Sequence, residues 1–209
     1  MKNQLLTLVL LFGMSVFSQN TSDEIDGKFE LQINSKLGFA RLIKTDNVPL
    51  SGNVNGSDVM VAIKLSPRWN LASGVGFLQF DANQTVGGNT ESIRNSYLQI
   101  PLRFTGDYNL FKGAEPKDAK IHFNIGLGVY ANTLLNEEKV NTTTTTDTKN
   151  LGWNFGIATA IGVRFVLTNA LHIGVGLESQ NDLTKMKKIE VERRMEQMNT
   201  VYLKFGLKF

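Results

Sequence analysis

The sequence predicts an all-β fold, an eight-stranded antiparallel up-and-down transmembrane β-barrel, and three observations carry that prediction. Apolar residues recur at every second position in eight separate stretches, the period that sends alternate side chains to opposite faces of a strand. The connections between the stretches alternate between long polar loops and tight turns. The last ten residues, TVYLKFGLKF, put Val201, Leu203, Phe205, Leu207 and Phe209 on one face and Tyr202, Lys204, Gly206 and Lys208 on the other, a pattern expected of a strand that closes a barrel against the first.

The 209 residues suffice for one domain. With 22 Lys+Arg against 19 Asp+Glu, bulk charge does not point to nucleic acid. The absence of cysteine excludes disulfides, thiolate metal sites and a lipid-modified N-terminal Cys. Mean hydropathy is slightly negative, which a membrane barrel allows because only alternate residues need be apolar.

Residues 1–18, MKNQLLTLVLLFGMSVFS, have the form of a secretory signal peptide: Lys2 supplies the positive start, Leu5 to Phe17 the apolar core, and Val16 and Ser18 suit cleavage before Gln19. Residues 19–27 are read as a short periplasmic lead-in and 28–209 as the barrel domain. The apolar core is shorter than the span of about 20 residues a membrane helix needs, and no other stretch is longer.

The first strand has Phe29, Leu31, Ile33, Leu37 and Phe39 on one face, with Glu30, Gln32, Asn34, Lys36 and Gly38 between. A polar loop is expected from Thr45 to Ser57. Strand two carries Val59, Val61, Ile63 and Leu65 and ends in the tight turn Ser66-Pro67-Arg68-Trp69-Asn70. Strand three runs from Leu71 to about Phe80, followed by a polar loop from Asp81 to Asn95. Strand four, SYLQIPLRFT, moves its apolar set to even positions and holds Pro101, which cannot donate to a ladder and implies a bulge or a gap in pairing. Asp107 to Lys120 reads as a longer, charged turn region. Strand five carries Ile121, Phe123, Ile125, Leu127 and Val129; the loop from Asn132 to Gly152 includes the run Thr142 to Thr146, read as a mobile surface tip. Strand six spans Trp153 to Phe165, Thr168-Asn169 makes a tight turn, strand seven spans Leu171 to Glu178, and Gln180 to about Met198 is expected to be the last loop.

Alternation alone does not say which face lies inside, since a soluble ligand-binding barrel also alternates, with its apolar face inward. Here the other face is dominated by small residues, among them Gly126, Gly128, Gly156, Ala158, Ala160, Gly162, Gly174 and Gly176. A solvated wall would be charged, whereas a narrow eight-strand lumen needs small side chains. Aromatics also bracket strands ten residues apart, Phe29 with Phe39 and Phe155 with Phe165, a span of roughly 25 Å for a tilted strand, the height of a membrane barrel's apolar band. The apolar face is therefore expected to meet lipid. With both termini periplasmic, the short turns face the periplasm and the long loops outward, the asymmetry of the outer-membrane type.

The strand YLQIPLRF (Tyr97 to Phe104), the signal ending FSQ, the glycine-alternating GLGVY (Gly126 to Tyr130) and the terminal aromatic strand together resemble the small outer-membrane-protein β-barrel family labelled PorT-like, found in one branch of Gram-negative bacteria. YLQIPLRF is the most specific of these. The resemblance covers about residues 26–209 and implies a bacterial outer-membrane location. The family's best-known member is tied to a protein-secretion and gliding apparatus, so the resemblance also implies a secretion or motility assembly. It carries no catalytic motif.

The charged and histidine residues on the small-residue face, Glu30, Lys36, Lys64, Arg103, His122, Arg164, His172, Glu178 and Lys204, are expected to form a lumen polar network. An eight-strand interior is just wide enough for side chains, so a closed plug of paired charges is favoured over an ion path. His172 and Glu178 stand about 20 Å apart along one strand, too far for a catalytic pair, and two histidines without clustered carboxylates make no metal site. No catalytic residue, cofactor or metal is assigned. The segment KMKKIEVERR offers Lys185, Lys187, Lys188, Arg193 and Arg194 as candidate loop contacts to lipopolysaccharide phosphates or an envelope protein partner, against the alternative of a solvated loop with internal ion pairs. The partly apolar Asp107–Lys120 segment is a candidate docking surface for a periplasmic partner. The resulting expectation is a non-enzymatic structural or accessory barrel that docks partners through its loops; a small-solute pore and a lipid-modifying enzyme are the alternatives.

Overall fold

Inside–outside alternation runs along the barrel strands, broken at two bulges. On β1 (Phe29–Lys44) the even residues from Glu30 to Lys36 are buried while Phe29, Ile33, Leu37 and Phe39 stay exposed on the outer surface. The computed structural model describes residues 28–44, 48–86, 89–110, 120–140, 145–148, 152–188 and 191–209. The signal peptide and lead-in expected over residues 1–27 lie outside them, as do most of the 107–120 segment and Thr142–Thr144.

The remaining strands are β2 (Leu50–Lys64), β3 (Trp69–Val86), β4 (Asn89–Asn109), β5 (Ile121–Val140), β6 (Thr145–Thr148), β7 (Trp153–Val166), β8 (Leu171–Asp182), β9 (Met186–Lys188) and β10 (Val191–Lys208). Eight of them form an antiparallel ring in the order β1-β2-β3-β4-β5-β7-β8-β10, closed by pairing of β10 with β1. The predicted fold is the observed one. The two short strands extend hairpins above the ring, β6 on β5 and β9 on β10. Closure runs to the last residue: Phe209 N–H donates to the Phe29 carbonyl at 3.0 Å, and the two rings stack with centroids 6.1 Å apart.

At one end, the two turns at 65–68 and 167–170 are tight and built alike. The Ser66 hydroxyl accepts from the Trp69 N–H at 3.2 Å, and the Thr168 hydroxyl from the Leu171 N–H at 3.0 Å, each closing a hydroxyl-headed turn. Between Ser73–Leu102 and Gly76–Gln99, Pro101 has no ladder partner on β3, where the Ser73 hydroxyl reaches its carbonyl at 2.9 Å, yet it still faces Tyr130 on β5. Its expected effect is thus a gap and not a bulge.

At the other end the strands run much further than the apolar alternation indicates. Residues 50–57, 81–86, 89–95, 132–140, 180–182 and 191–198, assigned to loops from the sequence, are strand. So are residues 107–109, assigned to a turn region, and Thr145–Thr148, within the loop whose Thr142–Thr146 run is read as a mobile tip. The reason is a polarity inversion. Within the band bounded by Phe29 and Phe39, apolar side chains face out, and polar ones face in beside a small patch of Met60, Ala62 and Ala72. Above it the exterior is Arg41, Asn53, Asn55, Thr85 and Arg94, while Leu42, Val54, Phe80, Tyr97, Leu134, Met195 and Met198 pack into a buried apolar cluster inside. Where water replaces lipid outside the wall, the interior reverts to an ordinary hydrophobic core.

Two bulges reset the alternation at this level. On β10, Gln197 and Met198 both oppose Ala40, and Gln197 takes φ 51°, the left-handed conformation that a bulge of this kind uses. Below it the even residues of β10 point inward; above it Arg193 and Met195 do. On β5 the extra residue is Leu135, exposed between buried Leu134 and half-buried Asn136, and Glu137 then turns inward.

Candidate functional site

The interior of the membrane band is organised about four charges. Lys36 of β1 lies 2.6 Å from Asp58 of β2 and 2.9 Å from Glu178 of β8. Arg103 of β4 reaches the same two carboxylates, at 3.1 Å to Asp58 and 2.7 and 3.0 Å to Glu178. Two cations and two anions therefore alternate in a closed circuit drawn from four strands, with all four residues at most 7% exposed. The Gln180 amide also donates to Glu178, and the Gln99 amide to Gln180 at 2.9 Å, so the circuit continues across the bore. The cavity beside it, along the small-residue wall of β5 and β7, measures about 10 Å³, room for about one water.

Toward the tight-turn end a second cluster gathers on Asp107, which accepts from Asn124 at 2.7 Å and Asn70 at 3.2 Å and pairs with Arg164 at 2.9 Å. Beside it, Glu30 accepts from Gln32 at 2.6 Å and lies 3.2 Å from His172. This contact spans two strand spacings, because Gly206 lies between His172 and Gln32 in register and a Cβ there would strike the imidazole. Tyr130 repeats the device: its ring lies over Gly156, and its hydroxyl donates to Asp182 at 2.9 Å. Tyr202 lies over Gly176, with its hydroxyl 2.6 Å from where a Cβ would stand, and reaches Gly162. These inner glycines are sockets for aromatic rings crossing a neighbouring strand.

All nine residues assigned to the lumen network lie on the inward face. Lys64 is half-buried at the foot of β2, His122 is buried opposite Arg164, and Lys204 is buried with its Nζ 5.7 Å from the Tyr202 ring centre. They form separate layers, however, not one network. Sequence reasoning missed Asp58 and Asp107 because both lie where the apolar alternation stops; extending the even phase of β2 by one step would have found Asp58.

The five candidate loop contacts divide. Lys185 and Lys187 are exposed, at 2.6 and 3.3 Å from Glu192, and their hydrogen bonds hold the Glu192 carboxyl below the usual carboxylate range. Arg194 points outward, 2.5 Å from Glu196. Lys188 belongs to β9. Arg193 is corrected: the bulge turns it inward, where it is 5% exposed and pairs with Glu137, which Lys44 also reaches at 3.0 Å. Burial works to raise the Glu137 carboxyl, but Lys44 and Arg193 prevail and hold it below its ordinary value. For Lys44 burial is the stronger influence and draws its ammonium down.

A membrane-barrel fold with a charge-filled bore defines the class. The chain is similar to the crystal structure of Neisserial surface protein A, with TM-score 0.51 and 11% identity over 87% of this chain and 97% of that one. It also matches the outer membrane protein OprG from Pseudomonas aeruginosa (TM-score 0.42, 14% identity, 88% and 98% covered) and Ail, the attachment invasion locus protein of Yersinia pestis (0.41, 8%, 87% and 99%). No protein-family model and no curated protein matches the chain. The fold is that of the small eight-stranded outer-membrane β-barrels.

Proposed function

We propose that this protein is an accessory outer-membrane barrel without enzymatic activity, a rigid post that holds its long hairpins outside the cell for an envelope partner. The observation that carries this reading is the Lys36–Asp58–Arg103–Glu178 circuit, which occupies the bore in the middle of the membrane band. A bore filled by compensated charge, beneath a packed apolar cluster, leaves the outer hairpins and the periplasmic segment as the working surfaces. The polarity inversion supports the membrane setting, because it marks on each long strand where lipid gives way to water. The resemblance of YLQIPLRF and the terminal strand to PorT-like barrels favours a secretion or motility assembly as the setting.

Affinity isolation of a tagged copy from native outer membranes in mild detergent tests the reading. A stoichiometric envelope protein lost on shortening the β3–β4 or β9–β10 hairpin is expected. Isolation of the barrel alone, together with steady single-channel conductance in planar bilayers, overturns it in favour of a pore. Modified lipid A in an overexpressing strain overturns it in favour of an enzyme.

A further inference from the structure

Exposed serines such as Ser35, Ser57 and Ser73 also interrupt the apolar outer wall, but one polar interruption lines a groove. Where β7, β8, β10 and β1 run side by side, a groove of about 430 Å³ opens on the lipid-facing surface. Its floor is a row in direct register: Thr159 beside Ser179, and Ser179 beside Asn199. These short polar side chains stand among Leu37, Phe39, Ile161, Leu177 and Val201, so the floor is lower than its rims. The row climbs. On β7, Thr159 lies six residues above the lower aromatic Phe165; at the far end Asn199 pairs with the upper aromatic Phe39. The groove therefore runs obliquely from mid-membrane to the outer rim, the path of a lipid chain in the outer leaflet.

The rim above it is cationic. Arg41 follows Phe39 on the same outward face and has no ion pair among the described residues. Arg194, Lys185 and Lys187 stand further up the same wall and share two carboxylates, Glu192 and Glu196. Four cations against two anions, at the height where headgroups begin, favour a phosphorylated anion, because guanidinium and ammonium groups bind phosphate with charge-assisted hydrogen bonds.

We propose that this face binds a phosphorylated glycolipid of the outer leaflet, a lipopolysaccharide, with one acyl chain in the Thr159–Ser179–Asn199 groove and a phosphate on Arg41 and its neighbours. The inference rests on the outer-membrane reading above and names a ligand for it. The polar floor weakens contact with acyl chains only slightly, since threonine and serine hydroxyls can bond to backbone carbonyls of their own sheet, while the recess supplies shape.

The test titrates the folded, full-length barrel in detergent with purified lipopolysaccharide and reads bound lipid by native mass spectrometry. Two variants accompany it: Thr159→Leu with Ser179→Leu, which fills the groove while keeping the wall apolar, and Arg41→Gln. Heat-modifiable gel migration establishes that each has folded. Lipopolysaccharide retained by the parent and lost severalfold by both variants is the expected result. Equal retention by all three overturns the proposal, as does preference for a zwitterionic phospholipid. A dimer of the parent that both variants dissociate also overturns it, making the groove a self-association seam. Because binding is read in detergent, it is independent of location. Absence from outer-membrane fractions would defeat the functional reading alone.

Discussion

Single residues in this wall act through what they leave room for. Gly156 has no side chain because the Tyr130 ring occupies that space on its way to Asp182. Gly156→Ala should destabilise the barrel by about 1–3 kcal/mol through overpacking, and Tyr130→Leu should relieve only part of that loss in the double variant, because the Asn181 carbonyl also stands 2.6 Å from the added Cβ. Urea unfolding of the four proteins in detergent checks both. The buried charges work the other way, by what they would leave behind. Glu178→Gln strips Arg103 and Lys36 of one of their two carboxylates, and an uncompensated buried charge of this kind costs about 3–5 kcal/mol. The same unfolding measurement should show a large loss for Glu178→Gln and a smaller one for Arg94→Gln, whose pair with Asp81 is mostly exposed.

At the scale of the strand, the bulges decide which side chains are inside. Inserting one alanine between Met195 and Glu196 keeps the bulge opposite Ala40 but shifts the upper part of β10 by one position, turning Arg193 and Met195 outward. The expected outcome is a barrel that still inserts but whose outer hairpins are cut rapidly by protease, while Gln197→Gly, which suits φ 51°, keeps them protected. Acid should loosen the same region. The Glu137 carboxyl is held below its ordinary value of 4.5 by Lys44 and Arg193, so its contribution is fully present above that value and is lost as pH falls through the lower folded value. Amide hydrogen exchange of Leu42 and Met195 should stay slow down to about pH 4.5 and quicken below it; exchange that is unchanged in acid would show that the apolar cluster alone holds the hairpins. The limits of these strands were hard to read for a related reason. Period-two alternation is legible only where the two faces differ in the expected sense. It is clear from Phe29 to Phe39 and from Phe155 to Phe165, and it fades where Asn53 and Asn55 flank Val54, although the backbone ladder continues unbroken.

For the whole molecule, the eight-strand ring, the outward apolar face and the tight turns at 65–68 and 167–170 were all legible, because lipid imposes the strongest pattern on a sequence. What the bore contains was legible only in part. Lys36, Arg103 and Glu178 could be placed on the inner face from their phase, but their convergence on Asp58 depends on shear between strands, which no single stretch records. The same geometry sets the expected permeability. The parent barrel should hold a planar bilayer silent, and simultaneous Lys36→Ala, Asp58→Ala, Arg103→Ala and Glu178→Ala, which empties the middle of the bore without leaving a lone charge, should give small, steady current steps. Steps already present in the parent would contradict a filled bore.

The circuit also constrains the order in which the molecule can be made. Lys36 and Glu178 belong to strands that become neighbours only through β10, and β10 pairs with β1 last along the chain. A sheet lying open in the bilayer would hold Lys36 and Asp58 at one edge and Glu178 near the other, facing hydrocarbon with half their partners missing. Such a sheet is costly in lipid, so insertion and closure are coupled: the wall can enter the membrane fully only as it rolls shut. The pairing that fills the finished bore thereby serves, during biogenesis, as a latch against stopping halfway.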